Sequence, residues 1–446
     1  MSRLSAHTTL WLVVLAFPAL PGLGGTDLAQ KLLHAVGVVT VVLLIVLTRR
    51  DRIDMHAVGY LCATFGLFVA YYAFTTLAFT RAPTGRDMAD VIRPVVYGTY
   101  ALFPLLVPLG REEFARLLRA GAWVVIGQVV FSALVHVPLA WPLVDMFKGR
   151  PSGDMPLHFY RWSGTFGYPS DFSFFLSLPI YFVFAKYRAG IAPSRLETTA
   201  AAFAVIGVLM SFSRGGIFSI VIMLGLAAVA SGALKRARTW IMAGALAGVV
   251  TVGLATADPE TLERAEQVQY LLQAFGDSES GARDSSTNHR LNELEIATEL
   301  AARHAPFGTG ANRAEIGTRI EIVESFYGFH LMKWGWLGTA AFAGFLLGTA
   351  VLTYDRVRRR GGATPNERAL VVAYVMIVLS IVLLFGWSSA VSDRFKGLPL
   401  FYLLTGYVLQ ATCRGARTTT TVASRDDEAP TTARPSGAPS LEGAAA

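Results

Sequence analysis

Charge is scarce in this chain. Asp, Glu, Lys and Arg make up only 16% of the 446 residues, hydrophobic residues make up 53%, and the mean hydropathy is +0.47. Such scarcity excludes a soluble domain of ordinary composition, in which about a quarter of the residues are charged. Cysteine is scarcer still. Cys62 falls inside an apolar block and Cys413 at the end of the last one, so the pair can neither staple a fold nor supply metal-ligand spacing. No internal repeat is evident. The net charge of +8 does not indicate nucleic acid, because the Lys and Arg residues cluster beside the ends of apolar blocks, where they set topology. Anionic lipid is the indicated partner.

What is present is a succession of apolar blocks near the roughly 20 residues that cross a bilayer. They run approximately Thr8–Leu20, Lys31–Leu47, Met55–Phe79, Val91–Leu109, Gly121–Trp141, Phe172–Tyr187, Thr198–Met210, Gly216–Ala230, Trp240–Ala257, Phe326–Tyr354, Ala369–Trp387 and Leu398–Thr412. The expected fold is an all-α polytopic integral membrane protein of about 12 transmembrane helices with a large, partly helical extracytoplasmic loop. Residues 1–257 hold spans 1–9, 258–325 the loop with two short helices, 326–413 spans 10–12, and 414–446 a tail. The first block is short and follows Arg3, as a signal peptide would, but no A-x-A site precedes the next block; an uncleaved anchor is expected. The tail is rich in Thr, Ala, Pro and Ser without apolar period, a composition that predicts disorder.

Alternate connections carry the basic residues: Arg49, Arg50 and Arg52; Arg111, Arg116 and Arg119; Lys186, Arg188 and Arg195; Lys235, Arg236 and Arg238; Arg356, Arg358, Arg359 and Arg360. By the positive-inside rule these face the cytoplasm, as do both termini. The other set, including Pro142–Asp171, Ser211–Gly215 and the long Asp258–Ser325, is expected outside the cytoplasm. A connection of about 70 residues is far longer than connecting helices requires, and long ordered loops tend to carry function. Within it Pro259–Phe275 has the apolar period of an amphipathic helix, Gly276–Ser286 reads as a mobile stretch, and a second helix is expected from about Asn288 to Arg303. Pro306 then stops that helix, and Gly308 and Gly310 permit a tight turn near a ligand.

Four motifs in order carry a resemblance. Arg161-Trp-Ser-Gly-Thr-Phe-Gly-Tyr-Pro169 precedes a span, Ser211-Phe-Ser-Arg-Gly215 forms a short turn, His304-Ala-Pro-Phe-Gly-Thr-Gly310 closes the loop, and Glu324-Ser-Phe-Tyr327 leads to Gly335-Trp-Leu-Gly338. This order, with one large late loop, resembles the O-antigen ligase and Wzy-type polysaccharide polymerase family. The resemblance implies a glycosyltransferase that moves a glycan from a polyprenyl diphosphate carrier to an acceptor hydroxyl on the non-cytoplasmic face, with no cofactor and no metal. It also implies a polyprenyl-diphosphate-linked glycan and the bilayer as partners, with a chain-length regulator and a flippase beside them.

Expulsion of a lipid diphosphate concentrates negative charge in the transition state, and the planar, always-charged arginine side chain suits it. Arg161, Arg214 and Arg290 are the candidates. Each has a plainer alternative: Arg161 as a headgroup anchor, Arg290 as part of a solvated ion-paired face; Arg214, in a connection of a few residues, would be costly if unpaired. Arg303, Arg313 and Arg319 are weaker candidates. An acceptor hydroxyl needs orientation or deprotonation. Where ligases of this family carry a His-Asn pair, this chain has Glu324 and Ser325, a departure that points to polymerase-type members and makes Glu324 the candidate base. Its alternative is a carboxylate stabilised at a helix N-terminus. His304 and His330 are further candidate bases, His304, Gly308, Gly310 and Tyr327 candidate substrate contacts, and Asp171 an expected N-cap. Polymerase, ligase and transporter or lipid flippase stay open as functions. Against transport, the ionisable groups collect in the loops rather than at mid-span.

Overall fold

The computed structural model describes residues 3–16, 26–47, 54–147, 161–230, 285–320, 323, 325–359, 363–388 and 397–413. Among them every regular element is helical: α1 (Arg3–Ala16), α2 (Thr26–Leu47), α3 (Met55–Phe79), α4 (Gly85–Leu106), α5 (Arg111–Ala133), α6 (Trp141–Phe147), α7 (Pro169–Arg188), α8 (Arg195–Met210), α9 (Arg214–Ala230), α10 (Ser285–Arg303), α11 (Arg313–Arg319), α12 (Phe326–Arg359), α13 (Pro365–Ser380) and α14 (Gly397–Cys413). A π-helical turn, Ile381–Phe385, extends α13.

Local sequence starts these helices where polar residues punctuate the apolar blocks. Thr84 with Asp87, Ser194 with Glu197 and Thr364 with Glu367 form capping boxes at the heads of α4, α8 and α13, each reciprocally satisfying two free donors. Asp54 caps α3 by accepting from the amides of His56 and Ala57. Glu197 has a second task, since Lys186 Nζ donates to both its oxygens at 2.6 and 2.8 Å and ties the end of α7 to the start of α8.

Four helical stretches among the described residues are long and apolar enough to cross a membrane: Met55–Phe79, Arg111–His136, Phe326–Arg359 and Pro365–Phe385, while Ala35–Leu44 and Arg214–Val229 are shorter apolar helices. Of about twelve expected spans, four are found by this criterion among the described residues. The block Trp240–Ala257, the loop helix Pro259–Phe275, most of Gly276–Ser286 and the tail from Thr418 fall outside the described residues, as does Glu324. The second loop helix is present as α10 and begins three residues earlier than its periodicity predicts. Asp171 is not the N-cap of α7. Pro169 occupies the first turn, Tyr168 takes the cap position, and Asp171 sits buried inside that turn.

The core gathers α3, α4, α7, α8, α13 and α14 around buried aromatic residues including Phe65, Tyr181, Tyr374 and Tyr402. A smaller apolar cluster, with Ala297, Leu300, Ala301, Ile316 and Met332, sits under the loop. It gives α10 and α11 a buried footing on α12, so this part of the loop is a packed structure.

Candidate functional site

The first candidate group forms where α8 gives way to α9. Only Ser211, Phe212 and Ser213 lie between them, and Phe212 takes φ 47°, in the left-handed region that costs a bulky side chain about 1–2 kcal/mol. Such strain persists where surroundings over-determine it. Here the segment Arg161–Trp162 does so. Trp162 N–H donates to the Met210 carbonyl at 3.0 Å, Arg161 Nε to Ser211 at 3.1 Å and an Arg161 terminal nitrogen to Phe212 at 2.8 Å. Three successive carbonyls at a helix end thereby find donors.

On the other side the Ser173 hydroxyl of α7 meets the Ser211 hydroxyl at 2.7 Å, and Ser211 Oγ also accepts from Ser213 N–H. The Arg161 segment is itself pinned to α5: Gly164 N–H donates to Ser132 Oγ at 2.8 Å and Thr165 N–H to Gln128 Oε1 at 3.0 Å. Two motifs some 50 residues apart are thus one object. Arg214 opens α9 immediately after the strained turn and is half-buried. Arg161 stands next to it in space, yet its guanidinium is engaged on protein carbonyls, so its first task is to hold the turn that presents Arg214.

The second group forms where the loop meets α12. That helix is broken at Gly335, with φ 63° and ψ −167°, and the break leaves carbonyls of the first half without helical partners. The loop supplies them. Thr309 N–H donates to Met332 O at 3.0 Å, Gly310 N–H to Lys333 O at 2.8 Å, and Tyr71 Oη to Trp334 O at 2.7 Å, while Leu337 N–H reaches Pro306 O at 3.2 Å. Irregular backbone within a spanning helix is tolerated when protein re-satisfies it in this way. Glycine is required at the crossing: a Cβ at Gly308 would overlap the Gly335 amide, and one at Gly335 would overlap Pro306 O. Gly310, at φ 71°, lies so close to α3 that a Cβ would stand 2.7 Å from Thr76 Cα. These glycines permit backbone-to-backbone contact within the protein, and the turn they form plugs the break in the helix.

Beneath this plug lies an ionic cluster that sequence reasoning missed. The Asp90 side chain, 1% exposed, accepts from Lys333 Nζ at 2.6 Å, from Arg93 at 2.8 Å and from Arg313 at 2.8 and 3.0 Å. Asp87 accepts the backbone N–H of Arg313 at 3.1 Å. One carboxylate of α4 therefore fastens both the loop and α12. The only sequence signal was a lone Lys333 within an apolar stretch and an Asp at the edge of another, charges that rarely enter a membrane without each other.

The other predicted residues sort as follows. His304 stacks on Phe79 with ring centres 4.7 Å apart, a packing contact. Tyr327 donates its hydroxyl to Val382 O, in the π-helical turn, and packs on Trp387. His330 is buried among Phe326, Phe329 and Phe342. Arg303 pairs with Glu299 and Glu315, and Arg319 with Glu299. The Arg303 hydrogen bond, joined by the charges of Arg319 and Arg303, holds the Glu299 carboxyl below its ordinary range although burial works the other way. Arg290 lies in α10, which packs along the first half of α12.

No curated protein matches the chain. Residues 199–343, which include most of α8, the turn at Phe212, Arg214, α10 and the plugged break, match the family described as O-Antigen ligase. Over these residues this membrane protein is similar to the O-antigen ligase family.

Proposed function

We propose that the protein is an inner-membrane glycosyltransferase that polymerises polyprenyl-diphosphate-linked oligosaccharide repeat units into O-antigen, capsule or exopolysaccharide on the non-cytoplasmic face. The observation that carries this reading is the family match over residues 199–343, which takes in Arg214, Arg290 and the loop. In this reading Arg214 and Arg290 stabilise the departing lipid diphosphate through forked, charge-assisted hydrogen bonds. Arg161 keeps Arg214 in place through the carbonyls of Ser211 and Phe212. Glu324 orients or deprotonates the acceptor hydroxyl, and no metal takes part.

Transfer then proceeds in one displacement. The acceptor oxygen bonds to the anomeric carbon as the bond from that carbon to the diphosphate breaks; the proton goes to the base and the electron pair to the phosphate, whose charge the arginines meet.

A second reading, transfer of finished glycan to lipid A core or another acceptor, is favoured by the wording of the matched family itself. Position 324 argues for the first, because a Glu stands where ligases carry the His of a His-Asn pair. The glycans of a deletion strain separate the two. Loss of a polymerase leaves acceptors bearing one repeat unit, whereas loss of a ligase leaves polymer on the carrier lipid. Wild-type glycan in strains carrying Arg214→Ala or Arg290→Ala, with the variant protein present in the membrane, would overturn both readings.

A further inference from the structure

One buried carboxylate in the loop has no place in the roles assigned so far. Glu293 of α10 is 0% exposed. Its Oε1 accepts from the backbone N–H of Ser325 at 2.9 Å and from the Ser325 hydroxyl at 2.7 Å. The Ser325 hydroxyl in turn accepts from Gly328 N–H at 2.9 Å, the geometry of an N-cap at the head of α12. The approach is so close that a Cβ at Gly328 would overlap Glu293 Oε1.

Two candidate groups are adjacent to this joint in the chain. Arg290 precedes Glu293 by three residues, which puts both positions on one face of α10. Glu324 directly precedes Ser325 in the chain. A single carboxylate therefore ties the helix bearing the candidate diphosphate arginine to the head of α12.

We propose that Glu293 is a positioning residue for the transfer reaction, holding the helix that bears Arg290 in fixed relation to the head of α12; this rests on the function proposed above. A buried carboxylate is a demanding way to cap a helix, since its charge must be met by hydrogen bonds. A neutral Ser cap is already in place. What the carboxylate adds is a link between two elements, and a shift of about 1 Å in such a constellation costs roughly 100-fold in rate.

The test uses the full-length protein in liposomes with a polyprenyl-diphosphate-linked oligosaccharide as donor. Glu293→Gln, which can still accept from Ser325, is expected to keep kcat within about threefold. Glu293→Ala is expected to lose roughly 100-fold in kcat with KM nearly unchanged, and amide exchange at Ser325 should rise. Gly328→Ala, which displaces the carboxylate without removing it, should follow the Ala variant and carries the test if Glu293→Ala does not insert. Arg290→Ala and Glu324→Gln serve as references. Full activity in both of these would discard the function itself, whatever Glu293 does. Inactive references beside wild-type kcat in folded Glu293→Ala and Gly328→Ala would instead leave Glu293 a plain helix cap and overturn the proposal.

Discussion

At Phe212 the chain leaves one apolar helix and enters the next within three residues; at Gly335 it departs from a helical path and returns within one. Both are interruptions where backbone groups lose their helical partners, and both are repaired by a segment distant in sequence. The means differ. Around Phe212 the repair is made chiefly by side chains: the Arg161 guanidinium and the Ser173 hydroxyl reach in and hold a strained turn. At Gly335 it is made chiefly by main chain against main chain, which glycine permits, with the Tyr71 hydroxyl on the Trp334 carbonyl and with Asp90 and its three cations locked beneath. A turn held by side chains leaves a charged residue, Arg214, half-buried at its lip. A break held by backbone forms a wall.

That comparison can be broken at several points. The largest effect should come from Asp90→Ala, which strands Lys333 in the interior; breaking a buried ion pair from one side costs about 3–5 kcal/mol, read from unfolding of the purified protein in detergent. Gly308→Ala should cost roughly 2–4 kcal/mol, through overlap with α12 and a left-handed backbone, whereas Ala at position 304 should cost much less. Arg161→Lys should cost about 1.5–3 kcal/mol, because one ammonium cannot replace a fork spanning two carbonyls. An Arg161→Lys protein as stable and active as wild type would show that the turn holds itself. Phe212→Gly should change stability by less than about 1 kcal/mol, relief of strain offsetting added freedom in the unfolded chain.

The smallest effect concerns the loop surface. The Glu299 carboxyl is held below its unfolded value by Arg303 and Arg319, so its contribution is present above the unfolded value and lost as pH falls through the folded one. A slight loosening of α10 toward acid, seen by amide exchange and weakened further by salt, is the expected outcome.

The motifs were legible as separate words. Arg161, Ser211–Gly215 and His304–Gly310 could be picked out because Arg, Ser and Gly are unusual beside apolar blocks, and α10 was visible from its period. Their partners could not be read. That Arg161 faces the carbonyls of 211 and 212, or that Gly308 crosses Gly335, depends on how helices pack, and packing leaves no periodic mark in a chain apolar on all sides. The backbone crossing at Gly308 and Gly310 could not be read either, because a left-handed turn looks the same whether a substrate or another backbone comes close. Asp90 and Glu293 were missed for a related reason: each sits in a stretch with other charges, and burial alone separates them from solvated neighbours.

The break in α12 also bears on the order of assembly. Lys333 is near one end of a helix long enough to cross a membrane, and a lone Lys is costly there, though less so than at a helix centre, where it costs about 2.5–3.5 kcal/mol. Its counter-ion, Asp90, lies some 240 residues earlier in the chain, and the loop residues 306–310 that close the break also precede it. Synthesis therefore delivers the carboxylate and the plug before the helix that needs them, so this helix enters a place already prepared by earlier parts of the protein.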